Sequence, residues 1–292
     1  MTLRPSSAHF RESRNPAGEQ RTGSPLSRGR AELRERALRL ALPIIVLAVG
    51  LAVWELVVRS ANIPPYVLPA PGLILKTLVA DRVLLAQSVL VTLKTTFEGF
   101  LLAACGGVGL AVIFNQSRFI EYSFYPYAVI LQVTPVIAIA PLLLVYLQPQ
   151  AAVLVCAWIV AFFPVLANTT LGLHSVDRNL ADLFSLYGAS RLQILWNLKL
   201  PWALPYMLGG LRIAGGLSLV GAVAAEIAAS SAGAGSGLAY RISEAQYRLN
   251  IPRMFAALLL LSLAGIVIFY LLSLINHLAL RHWHESALER EG

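Results

Sequence analysis

The chain has 292 residues, 57% of them hydrophobic and only 13% charged, with a mean hydropathy of +0.69. That is about half the charged share of a soluble domain, and so much apolar surface cannot be hidden in one water-soluble core. An ordinary soluble enzyme and a disordered chain are both excluded, which leaves an all-α polytopic membrane protein. The two cysteines, Cys105 and Cys156, sit inside apolar runs and read as small buried hydrophobes rather than a disulfide or zinc site. No metal or cofactor is expected.

The net charge of +8 is concentrated at the N-terminus, where residues 1–39 carry nine arginines against four glutamates. A basic arm of this kind binds nucleic acid or anionic lipid. No interleaved aromatics and no cysteine–histidine pattern accompany the arginines, so nucleic acid is not expected as a partner. Residues 1–39 are expected to be a disordered basic cytoplasmic tail. The apolar run that follows is too long, and lacks a small-residue cleavage site, to be a secretory signal.

A membrane-spanning helix needs roughly 20 apolar residues, each rising about 1.5 Å through a core about 30 Å thick. Six segments qualify in chain order: 40–58, 91–114 with an upstream extension from Leu84, 122–147, 151–171, 205–228 and 254–276. Residues 40–280 thus form one six-span domain, followed by a short tail, 281–292. Between the first two spans the run from Pro64 to Pro71 should be extended, with Pro71 opening a short helix. Residues 230–237 read as a glycine-rich hinge, and 238–249 as a short surface helix ended by Pro252. With both termini inside, fifteen Lys and Arg residues fall on the cytoplasmic side and six outside, so the charge bias favours that orientation. The last outer loop dissents, with Arg241, Arg248 and Arg253.

The loop 172–204, between spans four and five, is too polar to span and too patterned to be slack. Leu180, Leu183, Phe184 and Tyr187 follow an i, i+3, i+4, i+7 rule. Asp177 is placed as an N-cap and Gly188 as a left-handed helix end. Ser190 followed by Gln193 is a capping-box pattern, and Leu192, Leu195 and Trp196 continue an apolar face. Pro201 and Pro205 should stop this second helix. Two short helices joined at a sharp turn are expected on the cytoplasmic surface, docking on another protein or lying on lipid.

Asp182-Leu183-Phe184, then Gly188, then Leu198-Lys199-Leu200-Pro201 resemble the "EAA" loop of bacterial ABC importer permeases, which reads E-A-A, three residues, G, nine residues, I-x-L-P. Trp54-Glu55-Leu56, Leu68-Pro69-Ala70-Pro71, the stretch from Leu204 to Ala214, and Ala225-Glu226 followed by Gly235-Ser236-Gly237-Leu238 look like the nitrate/sulfonate/taurine branch. Asp182 for glutamate, and Leu183 and Phe184 for two alanines, depart from the pattern and imply a different docking groove. The resemblance implies an ABC importer permease fold with six transmembrane helices in a bacterial inner membrane, both termini cytoplasmic. It implies a homodimer, two copies of an ABC ATPase subunit and an extracytoplasmic solute-binding protein as partners. Asp182, Leu183, Phe184, Gly188, Ser190, Leu198, Leu200 and Pro201 would form the ATPase-coupling loop. The chain has no G-x-x-x-x-G-K-[ST] loop, so ATP hydrolysis is expected in the partner.

The third span holds Pro126, Pro135 and Pro141, with Gln132 and Thr134 beside the middle one. A kinked helix with freed carbonyls suits a translocation pathway, to which Asn168 in the fourth span is added. The plainer alternative is that such prolines are tolerated and the polar groups bond to neighbours. Lys94 with Glu98, and Glu55 with Arg59, are four apart and should pair, while Arg212 should reach toward the cytoplasm. Glu226 is expected at the outer mouth, gating the path, seating the binding protein or simply solvated at a helix end. The small solute carried is a sulfonate, nitrate, taurine, or a thiamine-precursor pyrimidine or riboflavin-like heterocycle.

Two other classes compete. An ion-gradient secondary carrier would want intramembrane acid or histidine relays and an internal repeat. An intramembrane serine hydrolase would pair Ser236 with His277, but those residues fall on opposite sides of the membrane.

Overall fold

The computed structural model describes residues 25–229 and 235–281, and side chains mainly from residue 41 on. Among the described residues every regular element is helical. The chain divides into two compact units, 1–54 and 55–292.

Helix α1 runs Pro25–Ser60 and contributes most of the first unit's described residues. It starts at Pro25, so residues 25–39 of the segment expected to be unstructured are helical. The rest of that basic tail lies outside the described residues, as do residues 282–292 and the hinge residues 230–234. The stretch Ala41–Ser60 is apolar and almost wholly exposed, the signature of a helix surrounded by lipid.

In the second unit, α2 (Pro71–Ala80) opens with Pro71 in its first turn, as the missing N–H of proline favours. It is followed by α3 (Arg82–Gln116), α6 (Pro149–His174), α9 (Leu200–Ala229) and α11 (Ile251–Leu280). Helix α6 sits at the centre, packed mainly on α9 and α3. The buried side of α3 is a stripe of mostly small residues, among them Ser88, Thr92, Thr96, Gly99, Ala103, Gly107 and Ala111, recurring every three or four positions. Without a hydrophobic force between helices in lipid, close backbone approach over small residues supplies the packing. The larger core side chains, Phe114, Phe162, Val165, Leu166 and Leu173, gather toward one end of this trio. Helix α11 buries only Ala256, Ala257 and Ala264, and otherwise presents leucine and isoleucine outward.

The third span is not the single kinked helix the sequence suggested. It is two helices, α4 (Arg118–Val133) and α5 (Val136–Tyr146), bent by 98°. At 16 and 11 residues they are about 24 and 16 Å long, so neither crosses a 30 Å core alone. The cause is local. Pro135 has no N–H to continue the ladder, and its ring forces Thr134 into an extended conformation, φ −72°, ψ 124°. Among the described residues the fold therefore has five long apolar helices, or six spans if the bent pair counts as one.

Candidate coupling segment and pathway residues

The stretch after α6 folds from its own caps. Asp177 Oδ1 accepts from Asn179 N at 2.9 Å and opens α7 (Arg178–Leu186). Gly188, at φ +75°, ends the turn, and no neighbour stands where its Cβ would be. Glycine is required there by backbone conformation, not by space. Ser190 and Gln193 form a reciprocal capping box: Ser190 N donates to Gln193 Oε1 at 2.7 Å, and Gln193 N to Ser190 Oγ at 3.3 Å. They open α8 (Arg191–Ile194).

Pro201 and Pro205 do not stop the second helix. It passes through a π turn, Leu195–Lys199, and runs unbroken into α9, so that helical structure is continuous from Arg191 to Ala229. The π turn widens the carbonyl ladder just where the ring of Pro201 would strike the carbonyl of Asn197. Leu195 and Leu198 turn inward and are buried, and Lys199 Nζ donates to Asn115 Oδ1 at 2.9 Å, tying the turn to the end of α3. The outward apolar set is therefore Leu183, Leu186, Tyr187, Leu192 and Trp196, the last three more than 60% exposed. Asp182 and Ser190 are also exposed, while Phe184 and Leu200 are half-buried. Leu183, Phe184, Tyr187, Gly188 and Gln193 line an open groove between α7 and α8.

The expected pathway residues do not form one cluster. Thr134 Oγ1 donates to Ile130 O at 2.6 Å and Asn168 Nδ2 to Pro164 O at 2.8 Å, each within its own helix. Gln132 and Pro135 are exposed beside the 98° break. Asn168 instead lies where α9 crosses α6: a Cβ on Gly210 would come within 2.8 Å of both its Cβ and Pro164 O.

Glu226 is not a solvated helix end. It is 6% exposed, and accepts from Thr92 Oγ1 at 2.8 Å and from Ala239 N at 3.0 Å. Leu238 N in turn donates to Thr92 Oγ1 at 2.8 Å. The first two N–H groups of α10 (Leu238–Tyr247) are thus held by α3 and α9. A Cβ at Gly237 would overlap the carboxylate. Sequence reading missed Thr92, which lies 134 residues from its partner. Pro252 does not end α10 but sits in the first turn of α11, behind an Asn250 N-cap.

The remaining charges behave largely as their spacing predicts. Lys94 and Glu98 lie 3.9 Å apart, and Arg59 Nε donates to Glu55 at 2.6 Å. Glu55 also accepts from Gly72 N at 2.8 Å, capping α2. Arg212 is set over the Phe269 ring at 4.4 Å, a contact between α9 and α11.

Residues 103–281 match the family model of the binding-protein-dependent transport system inner membrane component. The chain belongs to this family. A probable ABC transporter permease protein of Haemophilus influenzae is 33% identical over 82% of this chain and 97% of its own length. The formylaminopyrimidine transport permease ThiX of Halalkalibacterium halodurans is 31% identical over 80% of this chain and 92% of its own. The riboflavin transport permease RibX of Chloroflexus aurantiacus is 31% identical over 85% and 91%. An inward-facing structure of the MetNI methionine ABC transporter shares the fold, with a TM-score of 0.58 at 20% identity, covering 70% of this chain and 97% of that one.

The chain is thus a multi-pass ABC importer permease subunit, and the carrier and hydrolase alternatives give way. In the permease Ser236 is buried at the start of α10, while His277 lies in the last turn of α11, so the two cannot share a proton.

Proposed function

We propose that this permease works as a homodimer in a bacterial inner membrane, with both termini cytoplasmic and residues 177–201 seated on a separate ABC ATPase subunit. A solute-binding protein delivers the substrate to the opposite face, where Glu226 holds α10 in place at the outer mouth. Gln132, Thr134 and Pro135 at the broken third span border the path, and Asn168 adds a polar side chain to it from the α6–α9 crossing. The observation that carries the docking assignment is the capped double helix 177–199. Its caps and its Lys199–Asn115 bond make it rigid, while Leu186, Tyr187, Leu192 and Trp196 stay outside the fold. A stiff element with apolar side chains outward transmits a partner's movement into α9 without absorbing it. The substrate is a small planar nitrogen heterocycle rather than a sulfonate, taurine or nitrate, a reading supported by the names of ThiX and RibX.

Gly188→Val tests the docking role. A β-branched residue at φ +75° costs about 1–2 kcal/mol, which strains the turn without blocking insertion. The variant should reach the membrane at normal levels and lose uptake while its partner still hydrolyses ATP. Normal uptake by Gly188→Val overturns the docking assignment. Purification in mild detergent should recover an ATPase in equal amount, and recovery of the permease alone counts against the whole reading.

A further inference from the structure

Among the described residues, three helices end in the same hydrogen-bonded turn. After α1, Asn62 N donates to Arg59 O at 3.3 Å and Ile63 N to Val58 O at 3.1 Å. After α7, Gly188 N donates to Ser185 O and Ala189 N to Phe184 O, both at 3.0 Å. After α10, Leu249 N donates to Gln246 O at 3.1 Å and Asn250 N to Ala245 O at 2.8 Å. The turning residue has a positive φ each time: 48° at Asn62, 75° at Gly188 and 53° at Leu249. Glycine adopts this conformation freely and asparagine tolerates it, but the Cβ of leucine crowds the following carbonyl oxygen. Glycine would end α10 without strain, so the turn itself does not call for leucine.

Nor does the core call for it. Leu249 is 68% exposed and Tyr247 is 87% exposed. Their support is nevertheless firm. Arg248 Nη2 lies 3.1 Å from Glu244 Oε1, and Arg241 Nη1 lies 2.8 Å from the other oxygen of that carboxylate. Arg241 Nε also donates to Ser88 Oγ of α3 at 3.1 Å. On the far side of the turn Arg253 Nε donates to Asp81, between α2 and α3, at 2.6 Å. Tyr247, Arg248 and Leu249 thus project from a turn braced to its neighbours on both sides. A preorganised aromatic ring and an arginine are the anchors that protein interfaces favour. Glu244 is shared by two arginines, which leaves one positive charge over at the tip. A fluid lipid surface rewards an apolar side chain in any direction, whereas a shaped protein pocket rewards one held in a strained direction.

We infer that Tyr247, Arg248 and Leu249 are a contact on which the solute-binding protein docks. The two apolar side chains enter a pocket of that partner, and Arg248 meets one of its carboxylates. This contact rests on the orientation and the binding-protein partner proposed above.

The test places the full chain with its ATPase subunits in lipid nanodiscs and titrates in the solute-binding protein that stimulates the parent's ATP hydrolysis. Leu249→Gly should raise the concentration for half-maximal stimulation about tenfold, as loss of an interface anchor does. Its maximal rate and its hydrolysis without binding protein should stay unchanged, and its melting temperature should hold or rise as the strain is relieved. A residue kept for the fold alone would give the reverse, lower melting at an unchanged half-point. Arg248→Gln should raise the half-point severalfold at low salt and little at high salt. Asn62→Gly relaxes the same backbone conformation outside the contact and should leave the half-point alone. Tyr247→benzoylphenylalanine should crosslink to the binding protein on illumination. An adduct to lipid alone, or unchanged half-points in Leu249→Gly and Arg248→Gln beside a stimulated parent, overturns the contact and leaves the partner standing. A parent complex that no binding protein stimulates overturns both.

Discussion

A carboxylate near the end of a membrane helix ordinarily reaches for water, but Glu226 turns inward because α10 folds back over it and presents the Ala239 N–H to it. Thr92 is the hinge of that arrangement: its hydroxyl donates to Glu226 and accepts from Leu238 N. Thr92→Val would leave a buried N–H and a carboxylate lone pair unmatched, each worth about 1–3 kcal/mol. Thr95 is the fair comparison, because its hydroxyl bonds only to Val91 O of its own helix. In detergent, Thr92→Val should unfold several degrees below the parent, and Thr95→Val should stay within about 0.5 kcal/mol of it. Equal melting of the two would show that Glu226 does not depend on Thr92. Of these residues the sequence made Glu226 visible and Thr92 invisible, since their contact spans 134 positions. The caps at Asp177 and Ser190 were legible for the opposite reason: each is a bond between residues two or three apart.

Helix α9 shows how small residues let elements meet. A Cβ at Gly221 would stand 2.7 Å from Cys156 O, in the backbone of α6, whereas Gly216, one face away, has nothing within 4 Å. Gly221→Ala should therefore push the helices apart and cost about 1–3 kcal/mol. Gly216→Ala should be neutral or stabilising by up to about 1 kcal/mol, through helix propensity. Opposite signs in thermal unfolding are the expected result, and equal losses would place the α6–α9 crossing elsewhere. Helix boundaries were legible where proline acts alone, as at Pro71. They were misread at Pro201, because a π turn upstream can absorb the clash that usually ends a helix, and composition does not announce it. Pro135 itself was read as a kink, but the bend of 98° depends on Thr134 going extended and on what α5 packs against.

At the scale of the whole molecule, ion pairs weaken the dissent within the charge bias. The dissenting outer cations are held close to carboxylates: Arg241 and Arg248 share Glu244 at 2.8 and 3.1 Å, and Arg253 Nε donates to Asp81 at 2.6 Å. Counting residues alone could not show this, because Asp81 lies 172 positions before its partner. An arginine whose charge is matched at the surface does not need the cytoplasm as firmly as a free one. Topology then makes a direct prediction, which also decides which end of the permease carries the coupling segment. Tyr247, the last residue of α10, and Leu186, the last of α7, are each more than 80% exposed and tolerate a reporter cysteine. The natural Cys156 is buried, and the exposed Cys105 is first replaced by serine. A membrane-impermeant maleimide should label Tyr247→Cys in intact spheroplasts and Leu186→Cys only after permeabilisation. The reverse pattern would put residues 177–201 outside the cell, where no ATPase could reach them, and the mechanism proposed here would fall with it.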